Sequence, residues 1–373
     1  MMAGIFLGSH WRLAVTGCIA LLAALVAVTA MVGRWGRLQT VGIALCAVVT
    51  GMTVCRMDDG SSSQRDGRME RTEQYFGHQR GRLLQRLEDA GLTGDAYAVV
   101  AAMALGDKSA LTRDVRDTYA KTGGAHVLAL SGLHLGIIYA LLSMLVVGRR
   151  WQVATQVLAV LSIWTFVFLV GMPTSVVRAA VMLTVYALLA IGHRRKMSVN
   201  TLALTAIVML TVNPQALFDV GFQMSFMAVF SILLFVPLFY RPFSAEYLMT
   251  HRLVRWLWGM VAVSVAAQIG VAPLIAYYFG NFSCYFLLTN FIVIPAATLI
   301  LYLTLGTLIL PALGSLLASV VSLLNTTLFR IAAIPGATIE GLHPSIMLTV
   351  SLYGVIFATY YLLWLTIPKS GES

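Results

Sequence analysis

Seven polar side chains stand in or against long apolar runs, and their types set the chemistry open to this chain. GGAHVLALSGLHLG, residues 123–136, supplies His126, Ser131 and His134. GMPTSVVRAAVM supplies Arg178, NPQALFDVGFQMSF supplies Asp219 and Gln223, and LLTNFIVIP supplies Asn290. Ser131 and His134 are three apart and share a helix face. A serine nucleophile inside a membrane needs a histidine base on a second helix within hydrogen-bond reach. The other histidines, His10, His78, His193, His251 and His343, fall in loops or at the ends of apolar runs. ALSG also carries Ala129 where a GxSG motif has glycine. An intramembrane serine hydrolase is therefore the weaker reading of Ser131, and no catalytic residue is assigned.

A metal site fares no better. His126 and His134 are eight residues apart, about 12 Å along a straight helix, whereas two ligands of one metal each sit about 2 Å from it. The sequence has no GxxxxGK[ST] phosphate loop, since GDKS at 106–109 lacks the upstream glycine, and it has no metallohydrolase histidine cluster. No cofactor or metal is expected, and movement of a substrate must be powered from elsewhere.

The remaining chemistry is polar lining of a water-filled cavity, set against simple hydrogen bonding between helices. Arg178, five residues past Pro173, either lines the cavity or extends its head group to the membrane surface. Asp219 either caps the helix that follows it or pairs with Arg178, which would neutralise both charges. Gln268 lies at the middle of its span, but the seven residues above share one depth, in the outer half of the bilayer. Residues that only glue helices together should scatter through the depth, so a common depth points to an outward-opening vestibule.

That depth depends on the elements. Of 373 residues, 59% are hydrophobic and 11% charged, with mean hydropathy +0.85, far from the roughly 25% charged residues of soluble domains. Apolar runs of span length recur at about 13–33, 38–55, 126–147, 152–171, 175–191, 198–212, 220–240, 257–279, 285–310, 312–334 and 346–367. The expected fold is all-α, a polytopic transmembrane bundle of ten or eleven spans, with Pro295 kinking or breaking the ninth. Arg34, Arg37, Arg149, Arg150, Arg194, Arg195, Lys196, Arg241, Arg252 and Arg255 occupy alternate loops. The positive-inside rule makes that side cytoplasmic, the N-terminus outside and the C-terminus inside.

Residues 1–55 read as an N-terminal transmembrane hairpin, 56–95 as a polar linker with an amphipathic surface helix, and 96–368 as the membrane domain. Residues 56–125 hold eleven basic and eleven acidic residues, so the net charge of +10 comes from the rest of the chain and is no nucleic-acid signature. Met69, Phe76, Leu83 and Leu87 form one apolar stripe that fits a helix lying on the membrane, although Gly77 and Gly81 weaken it. Cys18, Cys46, Cys55 and Cys284 show no metal-binding spacing, and a Cys55–Cys284 disulfide is left open.

Taken in order, ALGDKSAL, GGAHVLALSGLHLG, SVVRAAVM, NPQALFDVGFQMSF and the Asn290–Pro295 segment resemble the membrane competence domain of ComEC-type proteins, over about residues 95–365. The resemblance implies a bacterial inner-membrane channel that passes single-stranded DNA into the cytoplasm during natural transformation. His126, Ser131, His134, Arg178, Asp219, Gln223 and Asn290 would line or shape its path. Met224 replaces the usual leucine of the DxGFQxSF segment. Many members carry an OB-type domain after the first two helices and a metallo-β-lactamase-like domain near the C-terminus. Residues 56–95 leave no room for the first and the chain stops at Ser373. The resemblance thus implies the bare membrane core, with separate DNA-receptor, nuclease and ATPase proteins beside it. The alternative is a channel or transporter for another anionic or polymeric substrate.

Overall fold

A computed structural model describes residues 66–145, 152–191 and 199–366. The first two expected spans and Cys55 lie outside these residues. The contact pattern divides the chain into two units: one of residues 1–71 with 200–223, the other of 72–199 with 224–373.

Fourteen α-helices are described. They are α1 (Asp66–Asp89), α2 (Gly94–Leu105), α3 (Arg113–Lys121), α4 (Ala125–Leu128), α5 (Gly132–Leu145), α6 (Gln152–Leu169) and α7 (Thr174–Ile191). Then follow α8 (Val199–Val212), α9 (Val220–Tyr240), α10 (Ala245–Thr250), α11 (Arg252–Phe279), α12 (Phe286–Ile309), α13 (Gly314–Ala332) and α14 (Ile346–Thr366). The sole sheet among the described residues is an antiparallel pair, β1 (Asn281–Ser283) with β2 (Thr338–Glu340). The chain is all-α, as its composition requires. Five stretches, 220–240, 252–279, 286–309, 311–332 and 346–366, are long and apolar enough to cross a membrane. Helices α5 to α8 occupy the expected places of the third to sixth spans but are shorter. The protein is a membrane protein.

In the larger unit, α12 and α13 form an antiparallel hairpin turned at Leu310–Leu313. Leu317, Val321, Leu324, Leu328 and Ile331 recur on one face of α13 and meet Val293, Ala297, Ile300 and Leu301 of α12. Helix α2 packs against both, and all eight residues from Ala98 to Leu105 are buried. This segment lies in the polar region by sequence, yet small residues at Ala98, Ala101, Ala102 and Ala104 let the helix enter the core from every side. Gly106 ends it in a left-handed conformation (φ 72°). A side chain there would be strained and would collide with Leu130, so glycine is required.

Helix α1 forms straight through Gly77 and Gly81. The described part of its apolar stripe meets protein: Leu87 is fully buried, Leu83 and Leu84 join the α12–α13 core, and Phe76 stacks on Phe168 of α6 at 5.7 Å. The stripe is a packing face. A second cluster joins α5, α6 and α7 through Leu135, Ile163, Val167, Val176 and Ala180. A third joins α9, α11 and α14 through Phe235, Leu238, Ala266 and Tyr360. There α9 and α11 approach so closely that a Cβ on Gly270 would strike Met227 and Ser231, and Tyr353 of α14 donates to the Gly270 carbonyl at 2.8 Å. Pro295 does not break its span: α12 is continuous from Phe286 to Ile309. Proline removes one N–H bond, and packing on both flanks of the break holds the helix together.

Candidate functional site: a broken helix near the membrane

The run GGAHVLALSGLH does not form one helix. It gives the single turn of α4, an extended stretch through Ala129 to Ser131, and then α5. Ser131 starts α5, its carbonyl accepting from His134 N–H at 3.1 Å. His134 reaches back: its Nδ1 accepts the Ser131 backbone N–H at 3.3 Å and lies 3.1 Å from Ser131 Oγ. This is one half of a capping box, the back-bond from the third helical residue to the cap N–H, with histidine in place of the usual Glu or Gln. Because Nδ1 accepts, the proton sits on Nε2. The His134 ring is fully buried. Its Nε2 is buried without a hydrogen-bond partner.

His126, in α4, donates from Nδ1 to the Gly123 carbonyl at 2.9 Å. Its side chain is exposed. The break is tied on two sides. Ser175, at the start of α7, donates to the Leu130 carbonyl at 2.7 Å, and Ala179 lies against Gly132. Upstream, Ser283 of β1 and Thr338 of β2 both donate to the Lys121 carbonyl, at 3.1 and 2.8 Å. The small ribbon thus pins the start of the broken helix to one end of the spans.

Arg178 lies one turn into α7, beside Ala179, and is 5% exposed. Its side chain is therefore held within the protein. Asn290 lies one turn into α12, which packs against α4 and α5. Its Oδ1 and the hydroxyl of neighbouring Thr289 are buried without hydrogen-bond partners. In one unit, therefore, His126, Ser131, His134 and Arg178 gather at the break, with Asn290 on a helix packed against it.

Asp219 and Gln223 belong to the other unit. Asp219 Oδ1 accepts the Phe222 N–H at 2.7 Å, so the capping role expected of it is real. Gln223 donates to the Leu217 carbonyl at 3.1 Å and closes the short 3₁₀ turn of Pro214–Phe218. Sequence reading missed Ser175, Thr289 and the buried bond from Tyr119 to Asn325 Oδ1 at 2.9 Å. Asn325, a polar residue inside an apolar run, was the available signal for the last of these. Among the described residues no group of three or more His, Cys, Asp or Glu could hold a metal. Cys284 is a free, exposed thiol.

What this arrangement offers is interrupted backbone beside a span, with carbonyl, imidazole, guanidinium and amide groups around it. Irregular backbone at membrane depth is tolerated where protein buries it or water lines it. Comparison with known proteins gives this geometry a family. The profile of the family described as Competence protein matches residues 103–366. The chain is 33% identical over 209 residues to ComE operon protein 3 of Bacillus subtilis (strain 168), covering 56% of this chain and 25% of that protein. It is 26% identical over 216 residues to Recombination protein 2 of Haemophilus influenzae, covering 54% of this chain and 26% of that protein. An uncharacterised protein of Aquifex aeolicus is 33% identical over 171 residues, 46% of this chain and 38% of that protein. The chain therefore spans between about a quarter and two-fifths of these relatives' lengths. No solved structure matches. The matched span takes in α3 to α14 and every one of the polar residues described above, and the chain belongs to the competence protein family.

Proposed function

We propose that this protein is an inner-membrane channel component that passes single-stranded DNA into the cytoplasm during natural transformation. The observation that carries the reading is that the family match covers α3 to α14, with a polar, broken helix among them. The N-terminus lies outside and the C-terminus in the cytoplasm, on the evidence of the arginine-rich loops. Separate receptor, nuclease and ATPase proteins deliver, trim and drive the strand.

His126, exposed at the break, offers its imidazole edge to a passing strand, and Arg178 supplies a fixed positive charge, buried beside the break, whose field the phosphate backbone feels. Ser131 and His134 act as the cap that holds the break open. The 3.1 Å contact between Ser131 Oγ and His134 Nδ1 also suits a hydrolase pair. Against that, the same Nδ1 takes the Ser131 backbone N–H and the ring is sealed from solvent, so neither water nor substrate reaches it. DNA import measured in Ser131→Ala and Arg178→Ala strains separates the two. The channel reading expects import to survive the first and fail in the second, and the reverse pattern would make Ser131 a nucleophile.

A further inference from the structure

Helices α1 and α2 make a hairpin whose feet and tip lie at opposite ends of the spans around them. At the feet, Arg80 approaches Asp107 at 3.9 Å and lies beside Gly171, while Gly106 contacts Leu130 and Val170. The feet thus stand at the α6–α7 turn, the end at which α12 also begins, since Gly123 lies against Phe286. At the tip, the Ala90 backbone rests on Gly314 with no room for a Cβ, and Leu92 is buried. Gly314 begins α13, at the end where α12 finishes. Between Arg80 and Ala90 the helix advances about 15 Å, half of a hydrocarbon core about 30 Å thick.

One side of α1 packs into this core and the other is polar. Tyr75, His78, Arg82 and Arg86, spaced by three, four and four, form a stripe opposite Leu83, Leu84 and Leu87. All four are exposed, Tyr75 by 60%. Residues 74–87 contain three arginines and no acid; Glu88 and Asp89 follow only at the tip. Arginine facing lipid at this depth is strongly unfavourable, and such side chains face protein or water. On its exposed side α13 also carries Ser319, Ser322 and Thr326.

We propose that α1 and α2 are a re-entrant hairpin whose Arg82 and Arg86 line a water-filled path, with Tyr75 and His78 of the same stripe at its mouth, and that the stripe binds the phosphate backbone of a single strand. The arginines neutralise phosphates and Tyr75 offers a stacking face. The assignment rests on the channel reading above for its cargo, though not for the water-filled path.

The single substitutions Arg82→Cys, Arg86→Cys and, as a buried control, Leu87→Cys test it in membranes holding the full chain with its native cysteines replaced. Each is treated with a small membrane-impermeant thiosulfonate and with a 5-kDa polyethylene glycol maleimide, with and without an oligothymidylate. Positions 82 and 86 should react with the small reagent only, the oligonucleotide slowing them on the order of tenfold, and 87 should stay silent. Reaction with both reagents would place the stripe in bulk water and overturn the re-entrant path. Silence toward both at 82 and 86 would bury the stripe in protein or lipid and overturn it equally. Labelling by the small reagent that the oligonucleotide does not slow would remove the phosphate assignment. Undiminished DNA import in a deletion strain would instead remove the channel reading and leave the labelling result standing.

Discussion

At the scale of single residues, the polar groups divide by what they hold. His134 holds the Ser131 backbone N–H, and the Ser131 hydroxyl only adds a second bond to the same ring nitrogen, so Ser131→Ala should cost about 1 kcal/mol, the net worth of one hydrogen bond, seen as a lower Tm of the detergent-solubilised protein with import retained. Arg178 is buried beside the break, and its truncation should abolish import while the protein still accumulates in the membrane. Tyr119→Phe leaves Asn325 Oδ1 without its donor in a buried site, a loss of about 1–3 kcal/mol, readable in the same melting experiment. Outside the spans, the backbone N–H of Ser109, and to a lesser degree nearby Arg80, hold the Asp107 carboxyl below the usual carboxylate range. A lowered value means the stabilisation is present at neutral pH and disappears as pH falls through it. Acid-dependent loosening of the α1–α2 hairpin, followed by proteolysis, should be absent in Asp107→Asn. The chemical types of the seven residues were legible from sequence; their jobs were not. The Ser131–His134 spacing suits a shared helix face and a back-bond to a helix's first residue equally, and only the break in the helix at Ala129–Ser131 distinguishes them.

Among the elements, the spans were legible because an apolar run of sufficient length can do little else. The break was not, since AHVLALSGL is as apolar as an unbroken helix and its interruption depends on Ser175 and the β-ribbon arriving from elsewhere. Pro295 shows the opposite failure: proline signals a break that tertiary packing overrides. Helix α2 is legible as a helix of about 95–105 ending at Gly106, but its burial was not. Its twelve residues are too few for a span, and burial on all sides leaves no amphipathic pattern to detect. The tightest junction is the one between Ala90 and Gly314. Gly314→Leu should push the hairpin tip off α13 and lower both melting temperature and import, whereas Gly336→Ala, where nothing lies within 4 Å, should lower both far less, its cost confined to the left-handed backbone (φ 80°).

For the whole molecule, composition established the class, and the family match placed the bundle among competence proteins. Basic loops carry the net charge, an exposed basic stripe on α1 adds a second positive surface, and the broken helix supplies buried donors and acceptors. A sequence can show that these parts exist but not that chain segments some 45 residues apart, at Leu130 and Ser175, meet at one place. The central claim is that this bundle carries DNA across the membrane. Its most direct test is the import of labelled single-stranded DNA into the cytoplasm of a deletion strain complemented with wild type, Arg178→Ala or His134→Ala. The account predicts that wild type restores import and that neither variant does, although both are present in the membrane. Import that persists without the protein would contradict it.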